Sequence, residues 1–417
     1  MLSFYDMQKA NQFMAAPADT LDLASHIAKF YGGNGRLSGA VSRWQLKMPD
    51  DLLRAAALPG AEGTAAYRRS VDAIDMADSR HQQLVPAILK NIGADAMADK
   101  MARQSRIFCL QNLANNQALL KELQQHLKLL CTAEIPVLCI KGVALLHTLY
   151  PDISVRRAAD SDIVVPEQQF NEALSLLANQ GWVEPGLGKL VGNALDTRFV
   201  SGIGLVHPDY RFPLDIHCHM NHGVQWVGAD ELFWSRAVES QVGSQPTLIL
   251  CPEDNFTQLL IHGLSANDAP PIRWVLDALL TLRSAASFDW QIVIANAQRM
   301  DMVPQHYSAI SYLLTLEEHP GMREAATQLE SLPVTADGLT YWSFRLERPE
   351  TIWEAIQQHR IHFSISAAGR GLAGKPWRVI PAYLRNWARV ENLALGIGIV
   401  LCKILKRIAT LGKGSQT

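Results

Sequence analysis

Asp160 and Asp162 stand one residue apart at the start of an apolar run, Arg-Arg-Ala-Ala-Asp-Ser-Asp-Ile-Val-Val (156–165). Alternate side chains of a strand share a face, so this spacing presents two carboxylates to one point. Like charges held that close repel each other unless a cation or a proton lies between them. A third acid, Asp215, sits inside the apolar run Phe-Pro-Leu-Asp-Ile-His-Cys-His-Met, where an unmatched charge is costly. If the two runs are neighbouring strands, three carboxylates meet at one sheet edge. Such a group is a hard-oxygen site for Mg²⁺ or Mn²⁺, with substrate phosphates filling further positions. On spacing alone, a solvated strand start explains Asp-Ser-Asp at least as well.

The elements that must position these acids are visible in the periodicity. Residues 1–100 read as helical, broken at Tyr-Gly-Gly-Asn-Gly-Arg-Leu-Ser-Gly and at Leu-Pro-Gly-Ala-Glu-Gly. From Met101 to Cys131 apolar residues fall at helical spacing, with Leu113, Leu120, Leu123, Leu127 and Leu130 on one face. The period then changes to a β-rich run at 135–142 closed by Gly142, a helix behind it, and the strand that begins at Ser161. An amphipathic helix ended by Gly181 follows. Two further β-rich runs, 198–207 and 211–220, read as a hairpin, and from Pro252 the chain looks helical again. The expectation is an α+β protein: a small mixed-sheet core (101–250) framed by an N-terminal helical region (1–100), a helical substrate-side region (251–335) and a basic C-terminal tail (336–417).

In that order the residues resemble a large bacterial family of uncharacterised nucleotidyltransferases in the DNA polymerase beta-like superfamily. The family pattern runs apolar strand, Lys-Gly, helix, Tyr-Pro, Arg, Asp-x-Asp and a second apolar strand. Lys141, Gly142, Tyr150, Pro151, Arg156, Asp160 and Asp162 match it. Asp215 and His217 match the later Asp-x-His, while Ile261-His262 and Arg273 to Asp277 resemble helical landmarks beyond it. Ser161 between the aspartates and Cys218 after the Asp-x-His depart from the usual residues.

The resemblance implies Mg²⁺- or Mn²⁺-dependent transfer of a nucleoside monophosphate from an NTP to an unidentified acceptor. That acceptor would be a sugar, a metabolite, a lipid-linked group or a peptide, and pyrophosphate would leave. Asp160 and Asp162 would hold metal, and Asp215 would complete the site and help deprotonate the acceptor. Lys141 and Gly142 would cradle phosphates, with Arg156 offsetting charge and His217 and Arg273 lining the nucleotide cleft. His262 and Asp277 are further cleft candidates, although Arg273 and Asp277, four apart on one helix, could simply pair.

Two other readings stay open. One is a non-catalytic binding protein that keeps the nucleotide fold; three retained acids speak against it, since an unused carboxylate cluster costs stability. The other is a zinc hydrolase built on His217, His219 and His222. Gly-Arg-Gly-Leu-Ala-Gly-Lys-Pro (369–376) has the glycines and lysine of a phosphate loop, but Pro376 has no hydroxyl for a metal and the stretch reads as a loop.

A net charge of -2 gives no reason to expect sequence-specific nucleic-acid binding. Six scattered cysteines without a Cys-x-x-Cys pair fit a reducing compartment, and the first residues lack a secretory layout, so a cytoplasmic location is expected. Residues 339–417 carry twelve Lys or Arg against four Asp or Glu. The stretch 393–413 therefore suits peripheral contact with the inner membrane face, or else a packed helix with a solvated basic side.

Overall fold

The computed structural model describes residues 50–185, 195–197, 199–221, 228–264 and 272–334, together with position 381. The first turn signal at 31–39, the loop at 369–376 and the basic tail lie outside the described residues, as does His222.

β1 (Leu138–Ile140) is buried along its whole length, as a strand covered on both faces must be. It pairs antiparallel with β2 (Ser161–Val164) and parallel with β6 (Gln245–Ile249). β2 runs parallel to β4 (Leu214–His217), and β4 pairs antiparallel with β3 (Gly202–Leu205). The sixth strand, β5 (Val238–Val242), is the hairpin partner of β6. The mixed sheet therefore has the order β3-β4-β2-β1-β6-β5.

Twelve α-helices surround this sheet among the described residues. Before it come α1 (Asp50–Ala57), α2 (Gly60–Ser70), α3 (Ser79–Ile92) and the long α4 (Asp99–Thr132). Between strands lie α5 (Lys141–Thr148), α6 (Phe170–Asn179) and α7 (Glu231–Arg236). After the sheet follow α8 (Pro252–Gly263), α9 (Trp274–Ser284), α10 (Trp290–Arg299), α11 (Val303–Leu314) and α12 (Met322–Ser331). The protein is α+β.

Strand alternation sorts the sheet into two faces. Cys139, Ile163, Ile203, Leu205, Leu214 and Ile216 pack against Leu119, Leu123 and Leu127 of α4 and Phe170, Leu174 and Leu177 of α6. Each such large apolar side chain contributes on the order of 2 kcal/mol by leaving water. The other face carries Leu138, Ile140 and Val164 against Phe233, Ile261, Met300 and Met302. A third, all-helical core joins α1–α3 to α8–α12 through residues such as Leu53, Leu84, Phe256 and Trp274.

Local differences from the expected elements have physical causes. Leu-Pro-Gly-Ala-Glu-Gly is not a long turn: Pro59 lies just before α2, Gly60 takes φ +69, and the helix begins there. The hairpin of β5 and β6 was not anticipated, although Gly243 at φ +60 followed by Ser244 is a two-residue turn signal. On α4 the buried stripe includes Asn112, Asn115 and Asn116, while Leu113 and Leu120 are only half-buried. No helix among the described residues is long and apolar enough to cross a membrane.

Candidate metal centre

The parallel pairing of β2 with β4 sets Asp162 directly beside Asp215, and Val164 beside His217. One oxygen or nitrogen from each of Asp162, Asp215 and His217 lies within 4.8 Å of the others. Asp160 stands one residue before β2, outside that tight group, yet close enough to feel both acids. Ser161 is buried on the opposite face, so its departure from the usual residue does not touch the site.

Room for the cluster comes from the next strand. A Cβ on Gly202 would lie 2.4 Å from His217 Nδ1, and one on Gly204 would lie 2.9 Å from Asp215 Oδ1. Gly202 and Gly204 pair with His217 and Asp215 respectively, so two glycines at strand spacing form the floor beneath the two site side chains. These were missed in the sequence. The alternation Gly-Ile-Gly inside an apolar run was the available signal, because strand glycines mark close approach.

β1 passes into α5 without a loop, and the junction residue Lys141 takes φ +52, a conformation uncommon outside glycine. The expected helix therefore starts two residues earlier than the reading in which Gly142 closes the strand. The ammonium of Lys141 donates to Asp162 Oδ1 at 2.5 Å, and His217 Nε2 lies 3.1 Å from the same oxygen. Gly142 has a different neighbour from the one expected. A Cβ there would meet Ala158 Cβ at 3.3 Å and Arg156 Nη1 at 3.4 Å, so its small size serves close packing of the 156–158 segment.

That segment is held from behind by α4. Asn112 donates to the Ser154 carbonyl, Asn115 to that of Ala158, and Asn116 to those of Ile153 and Arg156. Asn116 Oδ1 in turn accepts from the Ala158 N–H at 3.1 Å. Buried amides satisfying buried backbone groups make this approach to Asp160 rigid.

Arg156 points into a closed ion pair. Its Nε and Nη2 donate to the two oxygens of Asp277, each at 2.9 Å, and Tyr150 donates its hydroxyl to Asp277 at 2.7 Å. Arg156 and Asp277 are both buried. The partner of Asp277 is thus Arg156 and not its helix neighbour Arg273. Arg273 caps α9 and donates to the Arg157 carbonyl. Burial and the adjacent Arg156 push the Arg273 guanidinium down to about 10, with Asp277, Tyr150 and Asp160 opposing them. His262 is exposed in the last turn of α8. His219 does not join the cluster: Nδ1 lies 2.9 Å from Asp230 and Nε2 3.1 Å from the Thr197 carbonyl.

The charges are not balanced at the cluster. Burial, reinforced by Asp162 and Asp215, pushes the Asp160 carboxyl up to about 6. Asp215 is also raised, first by burial and then by Asp162. Burial would raise Asp162 too, but Lys141 and His217 override it and hold that carboxyl well below its usual range. Lys141 acts on all three carboxylates and Arg273 on Asp160 as well, and the donor set of two close carboxylates and an imidazole fits a divalent cation such as Mg²⁺ or Mn²⁺.

A mixed sheet with acids in register on adjacent parallel strands, walled by helices, defines an α+β protein with a candidate metal centre at a strand end. A family described as uncharacterised nucleotidyltransferase matches residues 76–315, more than half of the chain, and the protein belongs to that family. No curated protein matches the chain.

Proposed function

We propose that the protein transfers a nucleoside monophosphate from an NTP to an acceptor hydroxyl, in the manner of the DNA polymerase beta-like superfamily. The observation that carries this reading is the in-register placement of Asp162 beside Asp215, with His217 in the same group, in a chain of a nucleotidyltransferase family. Asp160, Asp162 and Asp215 would hold Mg²⁺ or Mn²⁺, which when bound would polarise the phosphoryl group and lower the pKa of the attacking hydroxyl. Asp215, whose carboxyl is raised by burial, is the group suited to accept the acceptor's proton. A bond forms between the acceptor oxygen and the α-phosphorus, and the bond to the β-phosphate's bridging oxygen breaks, so pyrophosphate leaves with that electron pair.

Lys141 and Arg273 are the cations available to the triphosphate, because Arg156 is committed to Asp277. Arg156 therefore acts at one remove, fixing the Gly142 turn and the approach to Asp160. His217 orients Asp162 through its Nε2 contact. Scattered cysteines support a cytoplasmic setting.

The test is incubation of purified protein with α-labelled NTPs, Mg²⁺ or Mn²⁺, and fractionated small-molecule, lipid and peptide acceptors. Label should move to one fraction with release of pyrophosphate, and should stop with EDTA and in Asp162→Asn. Label that binds without ever transferring would favour the non-catalytic reading.

A further inference from the structure

Lys141 has one feature that phosphate binding alone does not explain. Its ammonium is not turned to solvent; it sits on Asp162, the most buried of the three acids. Both Lys141 and His217 contact the same oxygen, Oδ1. The ammonium thus lies against the carboxylate a divalent cation would need.

Two observations separate this contact from a permanent structural pair. First, Arg156 and Asp277 make a two-pronged bond with side chains 8% and 2% exposed, whereas Lys141 makes a single contact and its side chain is 20% exposed. A lysine is a point charge on a flexible stem and can swing, while a forked guanidinium is locked by its plane. Second, the parallel register sets Asp215 directly beside Asp162 with His217 in the same group, so the ammonium rests on a cluster of ligand atoms within 4.8 Å of one another, a spacing suited to a divalent cation. The left-handed backbone at Lys141 fixes where the stem starts, at the end of β1, with Gly142 wedged against Ala158 behind it.

We infer that Lys141 is the counter-ion that Asp162 keeps until a divalent cation binds, displaced from Asp162 by that cation and thereby released to the anionic triphosphate. This rests on the cation-binding role of Asp162 proposed above. Metal and nucleotide binding are then coupled through one side chain: the metal frees the ammonium that the phosphates use, and each ligand tightens the other by the same factor. Removing the ammonium should improve metal binding in the absence of nucleotide and weaken the coupling.

The experiment is a Mn²⁺ titration of metal-free full-length protein at pH 8, followed by electron paramagnetic resonance. Wild type, Lys141→Met, Lys141→Gln and Asp162→Asn are each measured with and without a non-hydrolysable NTP analogue. Lys141→Met should bind Mn²⁺ roughly 10-fold more tightly than wild type without nucleotide, a typical coupling between linked sites. The analogue should tighten Mn²⁺ binding more in wild type than in the variant. Lys141→Gln, which keeps a polar head, guards against a folding defect and should shift in the same direction, with melting curves showing both variants folded. Equal or weaker Mn²⁺ binding in both folded variants overturns the counter-ion role, as does Mn²⁺ binding that survives Asp162→Asn unchanged. Label transfer by wild type is scored separately, so the enzymatic reading can stand while this inference fails.

Discussion

Asp162 and Asp277 are both buried carboxylates, and their surroundings differ in one respect. Asp277 receives two guanidinium bonds and a tyrosine hydroxyl, so its charge is closed from both oxygens. Asp162 receives a lysine and a histidine on one oxygen and has Asp215 beside it and Asp160 nearby. The first arrangement is complete and ties α9 to the segment that leads into β2. The second is under-neutralised and open on one side. A buried acid therefore signals ligand chemistry only when its partners fall short of its charge.

The largest expected effect breaks the open side. Asp162→Asn should lower metal-dependent transfer by a factor on the order of 1,000, since the lost cation contact is worth several kcal/mol in the transition state. Its melting temperature should fall modestly, because Lys141 and His217 favour the ionised carboxylate in the fold and lose it in the variant. Rate and melting assays on the same preparation check both halves.

Breaking the closed side should do the reverse. Asp277→Ala leaves Arg156 charged and buried, and should cost about 3–5 kcal/mol of stability in chemical denaturation. Mn²⁺ affinity of the folded fraction should stay within a few-fold of wild type. A stable variant with no metal affinity would reverse the two roles.

This contrast was only half legible in the sequence. Asp160, Asp162 and Asp215 were readable because strand alternation and an acid inside an apolar run are local signals, and the parallel pairing of β2 with β4 brings two of them together. The hairpin of β3 and β4 and the helix stopped at Gly181 were readable for the same reason. Arg156 with Asp277 was not, because the two lie 121 positions apart and only the packing of α9 against the core joins them. Helical spacing pointed instead to Arg273, whose side chain turns to the Arg157 carbonyl. Lys141 was legible as a cation near the site, but its place on Asp162 depends on a left-handed backbone that residue type does not announce.

A smaller effect sharpens the comparison through pH. The Asp160 carboxyl ionises near 3.8 when exposed but only at about 6 in the fold. Between those values the unfolded chain loses its proton first, so this group penalises the fold as pH rises, fully above 6. Asp160→Asn should therefore stabilise metal-free protein by on the order of 2 kcal/mol at pH 8 and have little effect near pH 3.5. Saturating Mg²⁺ should erase the gain by favouring the wild-type carboxylate. Denaturation at both pH values, with and without Mg²⁺, checks the sign.

The smallest effect concerns the floor of the site. Gly202→Ala would place a Cβ 2.7 Å from the Ile216 carbonyl oxygen as well as against the His217 ring. On this edge strand the crowding should cost about 1–2 kcal/mol and loosen Mn²⁺ binding a few-fold by moving His217. Unchanged stability and affinity would mean that the strand relaxes without disturbing the cluster.

The central claim is that the under-neutralised acids, and not the closed pair, take up a divalent cation. Crystals soaked in Mn²⁺ and measured at its absorption edge test this most directly. The account predicts an anomalous peak coordinated by Asp162 and Asp215, with Lys141 moved off Asp162 and the Arg156–Asp277 pair unchanged. A peak held instead by His219 and Asp230, or none near Asp162 at saturating Mn²⁺, would contradict it.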